Sequence, residues 1–231
     1  MIKKRLLPPL LGLIFTLTVA YLMLPVFDPN VNSTIESDPF WVTELNEEGE
    51  LTVFGLTLNH STLEEATAVF GNRLSLSLFQ QDDSMQLEGY FRETSVGSAQ
   101  GLAFTGRVAL SLTLPEPITE EMLTQFERDK KSTSKRVIYN IPPHQHAHFF
   151  NHKIATLSFI PIAITLSEED IIQRFGYPEK KMTEKGRDPV IHYLYPSKGV
   201  DVALDAKGKF KTVIQYIEPK DFYQAIIEPI L

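Results

Sequence analysis

Four of the six histidines of the chain lie within residues 144–152, the densest group of side chains that could do chemistry. Imidazole nitrogens bind zinc and copper well, so a metal site is the first hypothesis. Alternate positions would share one face of a strand, whereas His148 and His152 would share one face of a helix. Pro142-Pro143 just before them favours a surface loop. A metal site, a pH-sensitive contact patch and an ordinary polar loop therefore stay open for His144, His146, His148 and His152.

Signatures of catalysis are missing from the sequence. It contains no Gly-x-Ser-x-Gly elbow, no His-Glu-x-x-His pair and no phosphate-binding glycine loop. Asp82-Asp83 falls in a predicted turn, and Glu168-Glu169-Asp170 falls in a first helical turn, where negative charge is favourable. The absence of cysteine excludes disulfides, thiolate metal sites and a thiol nucleophile. We predict a protein that is not an enzyme and holds no cofactor.

The N-terminus indicates how the rest of the chain is placed. Lys3, Lys4 and Arg5 precede an uncharged, mainly apolar run from Leu6 to Phe27. As a helix, these 22 residues span about 33 Å, enough for one membrane crossing, and basic flanking residues stay on the cytoplasmic side. We predict a signal anchor, with a cleaved secretory signal as the alternative. The predicted segments are a cytoplasmic stub (1–5), a transmembrane helix (6–27) and a tether (28–39).

A first unit is predicted over residues 40–135. Thr62 and Glu65 form a capping box that opens a helix, and Gly71 ends this helix. Three strands and a second helix are predicted after it, at 74–79, 85–92, 102–114 and 119–131.

A second unit with the same plan is predicted over residues 136–231. Ser167 and Asp170 are its capping pair, and Gly176 is its helix stop. Strands at 190–195, 200–204 and 210–217 and a helix at 221–227 follow. Chance similarity between two helices is the alternative to a true repeat. The predicted fold class is α+β: an N-terminal transmembrane helix followed by two helix-plus-antiparallel-sheet units.

Two segments resemble a known family. The run 55–66 ending in Phe70-Gly71, and more closely the run 166–172 ending in Phe175-Gly176 with the strand 192–195 after it, are similar to the SmpA/OmlA (BamE-like) envelope domain. A tandem version of that domain resembles the β-lactamase-inhibitor-protein fold. The resemblance implies a non-catalytic module that binds other proteins in the envelope of a Gram-negative bacterium. Lipoprotein members carry a cysteine, which this chain lacks, and an uncleaved helix would place it at the inner membrane.

Two apolar segments are candidate contact surfaces. The run 154–164 is too short to span a membrane and is typical of a buried strand, but its exposed part could contact a partner. The apolar C-terminal tail could contact a partner in the same way, or pack on the core of its own domain. The possible interaction residues are Phe159, Ile160, Ile162, Ile230 and Leu231.

These observations favour a protein that works by binding. The formal net charge of −7 argues against nucleic acid as a partner, because the phosphate backbone is also negative and like charges repel. The first hypothesis is a single-pass inner-membrane protein whose periplasmic domain contacts envelope proteins in envelope assembly or homeostasis. The alternative is a periplasmic carrier or sensor for a small apolar ligand, such as a lipid, or for a metal ion.

Overall fold

The structure, a computed structural model, describes residues 39–82, 84–99, 102–184, 190–205, 207–208 and 211–231. Its strands are β1 Glu44–Leu45, β2 Leu51–Val53, β3 Leu56–Thr57, β4 Leu74–Gln81, β5 Ser84–Ala99, β6 Leu102–Leu112, β7 Glu127–Arg128, β8 Val137–Ile141, β9 Ile154–Pro161, β10 Lys180–Thr183, β11 Val190–Tyr195, β12 Val200–Asp205 and β13 Val213–Tyr216. Its α-helices are α1 Leu63–Phe70, α2 Glu120–Thr124, α3 Glu168–Phe175 and α4 Glu228–Ile230. Two 3-10 helices (Pro143–Phe149 and Pro196–Lys198) and a π-helix (Tyr223–Ile227) complete the elements.

Ten of the strands form one antiparallel sheet in the order β10-β11-β12-β13-β9-β6-β5-β4-β8-β7, and β1, β2 and β3 form a smaller sheet. An antiparallel meander follows each helix that has a capping box: the three strands β4-β5-β6 after α1 and the four strands β10-β11-β12-β13 after α3. Strand β9 lies between the two meanders and pairs with both β6 and β13. The central strand therefore joins the two halves of the chain into a continuous sheet.

The predicted fold class is wrong. The prediction was a transmembrane helix followed by two separate helix-plus-sheet units. The described chain is instead mostly one large sheet with a small second sheet and a few short helices. The physical reason lies in β9, where Phe159 and Ile160 are both buried although they point to opposite faces. A strand that is apolar on both faces belongs in the interior of a sheet, where it satisfies the backbone groups of two neighbours.

None of the helices in the described ranges is long and apolar enough to cross a membrane. The predicted stub 1–5 and anchor 6–27, which include Lys3, Lys4, Arg5, Leu6 and Phe27, lie outside the described residues, as does the tether up to residue 38. The single-pass membrane class has no support in the described structure and is not carried forward.

The predicted helix boundaries at both capping boxes are confirmed. The hydroxyl of Thr62 accepts a hydrogen bond from the backbone N–H of Glu65, and the Glu65 carboxylate accepts one from the backbone N–H of Thr62. Ser167 and Asp170 do the same for α3. The stop glycines have φ of 89° and 87°, a region that other residues rarely adopt.

The helix predicted over 119–131 is much shorter in the structure. It ends at Thr124, whose hydroxyl donates to the backbone oxygen of Glu121, and the chain then turns into β7. Strand β7 pairs with β8, so this segment extends the sheet instead of the helix. The predicted C-terminal helix is present as the π-helix followed by α4.

The main core lies on one face of the large sheet. Alternate residues of the central strands point to this face, where they pack on α1, α3 and the longer 3-10 helix. Phe159 lies at its centre, 5.3 Å from the ring of Phe40 and 5.7 Å from that of Phe54. The hydroxyl of Tyr216 donates to the backbone oxygen of Phe40 and so fixes the start of the described fold to β13.

The opposite face is covered unevenly. At the β11 end, Leu194 packs against Phe222, Ile226 and Ile230 of the C-terminal segment. Tyr90, Ala109, Ile160, Ala203 and Val213 form a smaller apolar cluster near the middle. At the β4 and β8 end, this face borders an open cavity.

Candidate functional site

The candidate site is a cavity of about 490 Å³ beside β4, β5 and β8. Its walls combine apolar side chains with charged groups of both signs. The lining residues are Leu74, Ser75, Leu76, Ser77, Phe79, Glu88, Tyr90, Arg92, Glu93, Arg107, Asp129, Lys131, Ile138, Asn140, Ile141, Pro143 and His146.

Strand alternation explains why polar side chains line this cavity. Leu87 and Phe91 of β5 point into the main core, so Glu88, Tyr90 and Arg92 point to the opposite face. The pairing registers place Ser77 of β4 directly opposite Glu88. Asn140 of β8 is in turn opposite Ser77, and the two side chains are joined by a hydrogen bond of 3.2 Å.

Glu88 is the unusual group of the site. Its side chain lines the cavity, yet the residue is only 4% exposed, and its Oε1 has no hydrogen-bond partner in the part of the chain that the structure describes. Burial raises the pKa of the Glu88 carboxyl to about 8, and the positive charge of Arg136 opposes this only in part. Near pH 7 the carboxyl is therefore mainly protonated and can donate a hydrogen bond.

The cavity is basic at the end of β5 where Arg92 lies. Arg92 is exposed, Arg107 of β6 is half-buried, and both line the cavity. Burial raises the pKa of the Tyr90 hydroxyl, whereas the charges of Arg107 and Arg92 and a hydrogen bond with Arg107 act to lower it. The two guanidinium groups are therefore close enough to Tyr90 to act on it electrostatically.

The two acidic groups of the cavity that remain have partners of their own. The Glu93 carboxylate lies 3.3 Å from the guanidinium of Arg73. The Asp129 carboxylate accepts hydrogen bonds from the Asn140 side chain at 3.1 Å and from the backbone N–H of Lys131 at 2.9 Å. Among the acidic residues that line the cavity in the described ranges, Glu88 is therefore the one with an unpartnered buried oxygen.

The predicted histidine cluster is used for local structure. His146 is buried, and its Nε2 lies 3.0 Å from the backbone oxygen of Ile141. The Nδ1 of His152 lies 2.6 Å from the backbone oxygen of Thr113, which directly follows β6. Two of the four imidazoles therefore hydrogen-bond with the backbone in separate places.

The other two histidines, His144 and His148, are exposed on the 3-10 helix. In the described ranges, no three His, Asp or Glu side chains are grouped so that they could hold a metal ion. Metal binding by His144, His146, His148 and His152 stays a prediction that the structure does not strengthen.

The predicted interaction residues are mostly covered. Phe159 and Ile160 are buried in the centre of the sheet, and Ile230 is buried in the C-terminal cluster. Ile162 is half-buried, and Leu231 is 59% exposed. These five residues do not form one exposed apolar patch, and their role in partner contact stays a prediction.

A second buried polar pair lies away from the cavity, on β11 and β12. The Nδ1 of His192 is 2.9 Å from the Asp201 carboxylate, and both residues are buried. Burial lowers the pKa of His192, but the charge and hydrogen bond of Asp201 outweigh this, so the net pKa lies above the ordinary value. The pair links the neighbouring strands β11 and β12, and the second carboxylate oxygen of Asp201, Oδ1, is buried with no hydrogen-bond partner among the described residues.

Comparison with protein-family models, with curated proteins and with solved structures gave no match to this chain. The resemblance to BamE-like domains therefore stays a prediction.

The sequence analysis did not identify Glu88. The only available signal was the alternation in Gln86-Leu87-Glu88-Gly89-Tyr90, which predicts that Glu88 points away from the core. Such a position is normally solvated. Glu88 is nevertheless buried, and the cavity wall that it shares with β8 depends on the pairing of β8 with β4 across more than 60 residues, a contact that no local pattern encodes.

Proposed function

We propose that this protein is a non-catalytic binding protein that takes a small molecule in the cavity beside β4, β5 and β8. The observation that carries the proposal is an open cavity of about 490 Å³ with a buried, unpartnered carboxyl in its wall. This volume is within the range of small-molecule sites, roughly 300 to 1,000 Å³. An unpartnered buried polar group is costly, and a ligand that supplies the missing hydrogen bond recovers that cost.

The proposal develops the carrier or sensor alternative from the sequence, with a cavity of mixed polarity in place of a purely apolar one. The competing function, contact with envelope proteins, stays a prediction. So does the expected periplasmic location.

A plug in the cavity tests the proposal. Ser75 lines the cavity opposite Tyr90, so Ser75→Phe fills the space without adding charge, and Ser75→Leu fills less of it. Ser134→Phe is the matched control, because Ser134 is exposed outside the cavity. In a thermal-shift screen of the full chain against a small-molecule library, we expect compounds that raise the melting temperature of wild type and the control.

The same compounds should have no effect on Ser75→Phe and a reduced effect on Ser75→Leu. Far-UV circular dichroism establishes that the variants are folded. Hits that stabilise all four proteins equally, or a screen without hits on folded wild type, would overturn the proposal.

A further inference from the structure

The polar groups of the cavity are separated along its length. Glu88 and Arg92 lie four residues apart on β5, which places their Cα atoms about 13 Å apart along the strand. Tyr90 lies between them on the same face, and Arg107 joins the Arg92 end. A ligand that uses both ends must therefore be elongated.

The basic end has the chemistry to hold a carboxylate. Guanidinium groups form charge-assisted, often bidentate hydrogen bonds with carboxylates. Arg92 and Arg107 supply two positive charges at this end, and the negative charge of Glu93 is already paired with Arg73. This end therefore favours an anionic group of a ligand, such as a carboxylate.

The other end has the chemistry to hold an uncharged polar group. The Glu88 carboxyl is protonated near neutral pH and lacks a partner at Oε1, so a hydroxyl or carbonyl oxygen of a ligand would complete it. Tyr90 lies between the two ends, and its ring belongs to the apolar cluster of this face, which favours an apolar middle section of the ligand. Phe79 and Ile138, neighbours across β4 and β8, line the cavity beyond Glu88.

We propose that the cavity binds a medium-chain organic carboxylate with a hydroxyl or carbonyl at its far end. The carboxylate lies at Arg92 and Arg107, and the uncharged polar end accepts a hydrogen bond from Glu88. This assignment depends on the proposed function, because it names the class of ligand for the same cavity.

Isothermal titration calorimetry of the full chain at pH 7 tests the assignment with three probes. The probe 10-hydroxydecanoate carries both polar ends, decanoate lacks the hydroxyl, and 1,10-decanediol lacks the carboxylate. We expect 10-hydroxydecanoate to bind, and 1,10-decanediol to bind at least about tenfold more weakly, as expected for loss of a charge-assisted contact. Decanoate should bind several-fold more weakly than 10-hydroxydecanoate.

Two arginine variants locate the carboxylate. Arg92→Gln should weaken binding of 10-hydroxydecanoate at least about tenfold. Arg128→Gln removes an exposed guanidinium of β7 that does not line the cavity, and it should leave binding unchanged. In Glu88→Leu, the advantage of 10-hydroxydecanoate over decanoate should vanish.

The outcomes separate this assignment from the proposed function. Equal binding of the diol and the hydroxycarboxylate, or equal effects of the two arginine substitutions, would overturn the ligand class. The proposed binding function would still stand if the library screen gives hits that Ser75→Phe abolishes. If no compound binds in a way that Ser75→Phe blocks, both proposals are wrong.

Discussion

Glu88→Gln is expected to remove most of the pH dependence of stability between about pH 4.5 and pH 8. The pKa of Glu88 is about 8 in the folded chain, against an ordinary value of 4.5. Between these values the folded state keeps a proton that the unfolded state has released. Wild type therefore loses stability as the pH rises through this window.

The size of the effect follows from linkage. Each unit of pKa difference corresponds to about 1.4 kcal/mol, so the free energy of unfolding of wild type should fall by roughly 5 kcal/mol across the window. An amide does not ionise, so Glu88→Gln should keep its stability and exceed wild type by several kcal/mol at pH 8. Urea denaturation of the ligand-free chain at several pH values measures both curves.

Glu121→Gln is the control for the change in charge. Glu121 is exposed in the first turn of α2, away from the cavity. This variant should follow the pH curve of wild type. Parallel curves for wild type and Glu88→Gln would show that the Glu88 carboxyl is not held in a buried, protonated state.

Gly106→Ala is expected to destabilise the fold severely, because β6 and β9 approach closely at this glycine. A Cβ at position 106 would lie 2.1 Å from Cε2 of Phe159 and 2.8 Å from the backbone oxygen of Ile160. Phe159 is fully buried at the centre of the core and has no space into which to move. The free energy of unfolding should fall by about 3 kcal/mol or more.

Gly89→Ala is the matched control on the neighbouring strand. A Cβ at position 89 would meet side-chain carbons of Leu63, Leu74 and Leu76 at 3.5 Å each, which is ordinary van der Waals contact. Its effect should stay within about 1 kcal/mol of wild type. Chemical denaturation of both variants at one pH makes the comparison, and similar stability of the two would contradict the packing of Phe159 against β6.

The sequence predicted the local elements well where a local chemical cause operates. The two capping boxes and their stop glycines depend on residues within one helix, and the structure has both. The strand at 102–114 was recognisable from its alternation and is present as β6. These features need only neighbouring residues to be specified.

The arrangement of the sheet was not predictable in the same way. Strand β9 was recognised as a buried segment, but its apolar pattern does not say which two strands it joins. Pairing of β8 with β4 is also non-local, and it creates the cavity wall around Glu88. The predicted boundary between residues 135 and 136 stays a prediction, although β8 and β9, which lie after it, both pair with strands that lie before it.

Native mass spectrometry shows directly whether the cavity beside β4, β5 and β8 holds a small molecule. The full chain is incubated with the low-molecular-mass fraction of a cell extract, and free compounds are then removed. We expect a small organic adduct on wild type and on Ser134→Phe that is missing from folded Ser75→Phe. An identical adduct pattern on all three proteins, or no adduct on wild type, would contradict the proposed binding function.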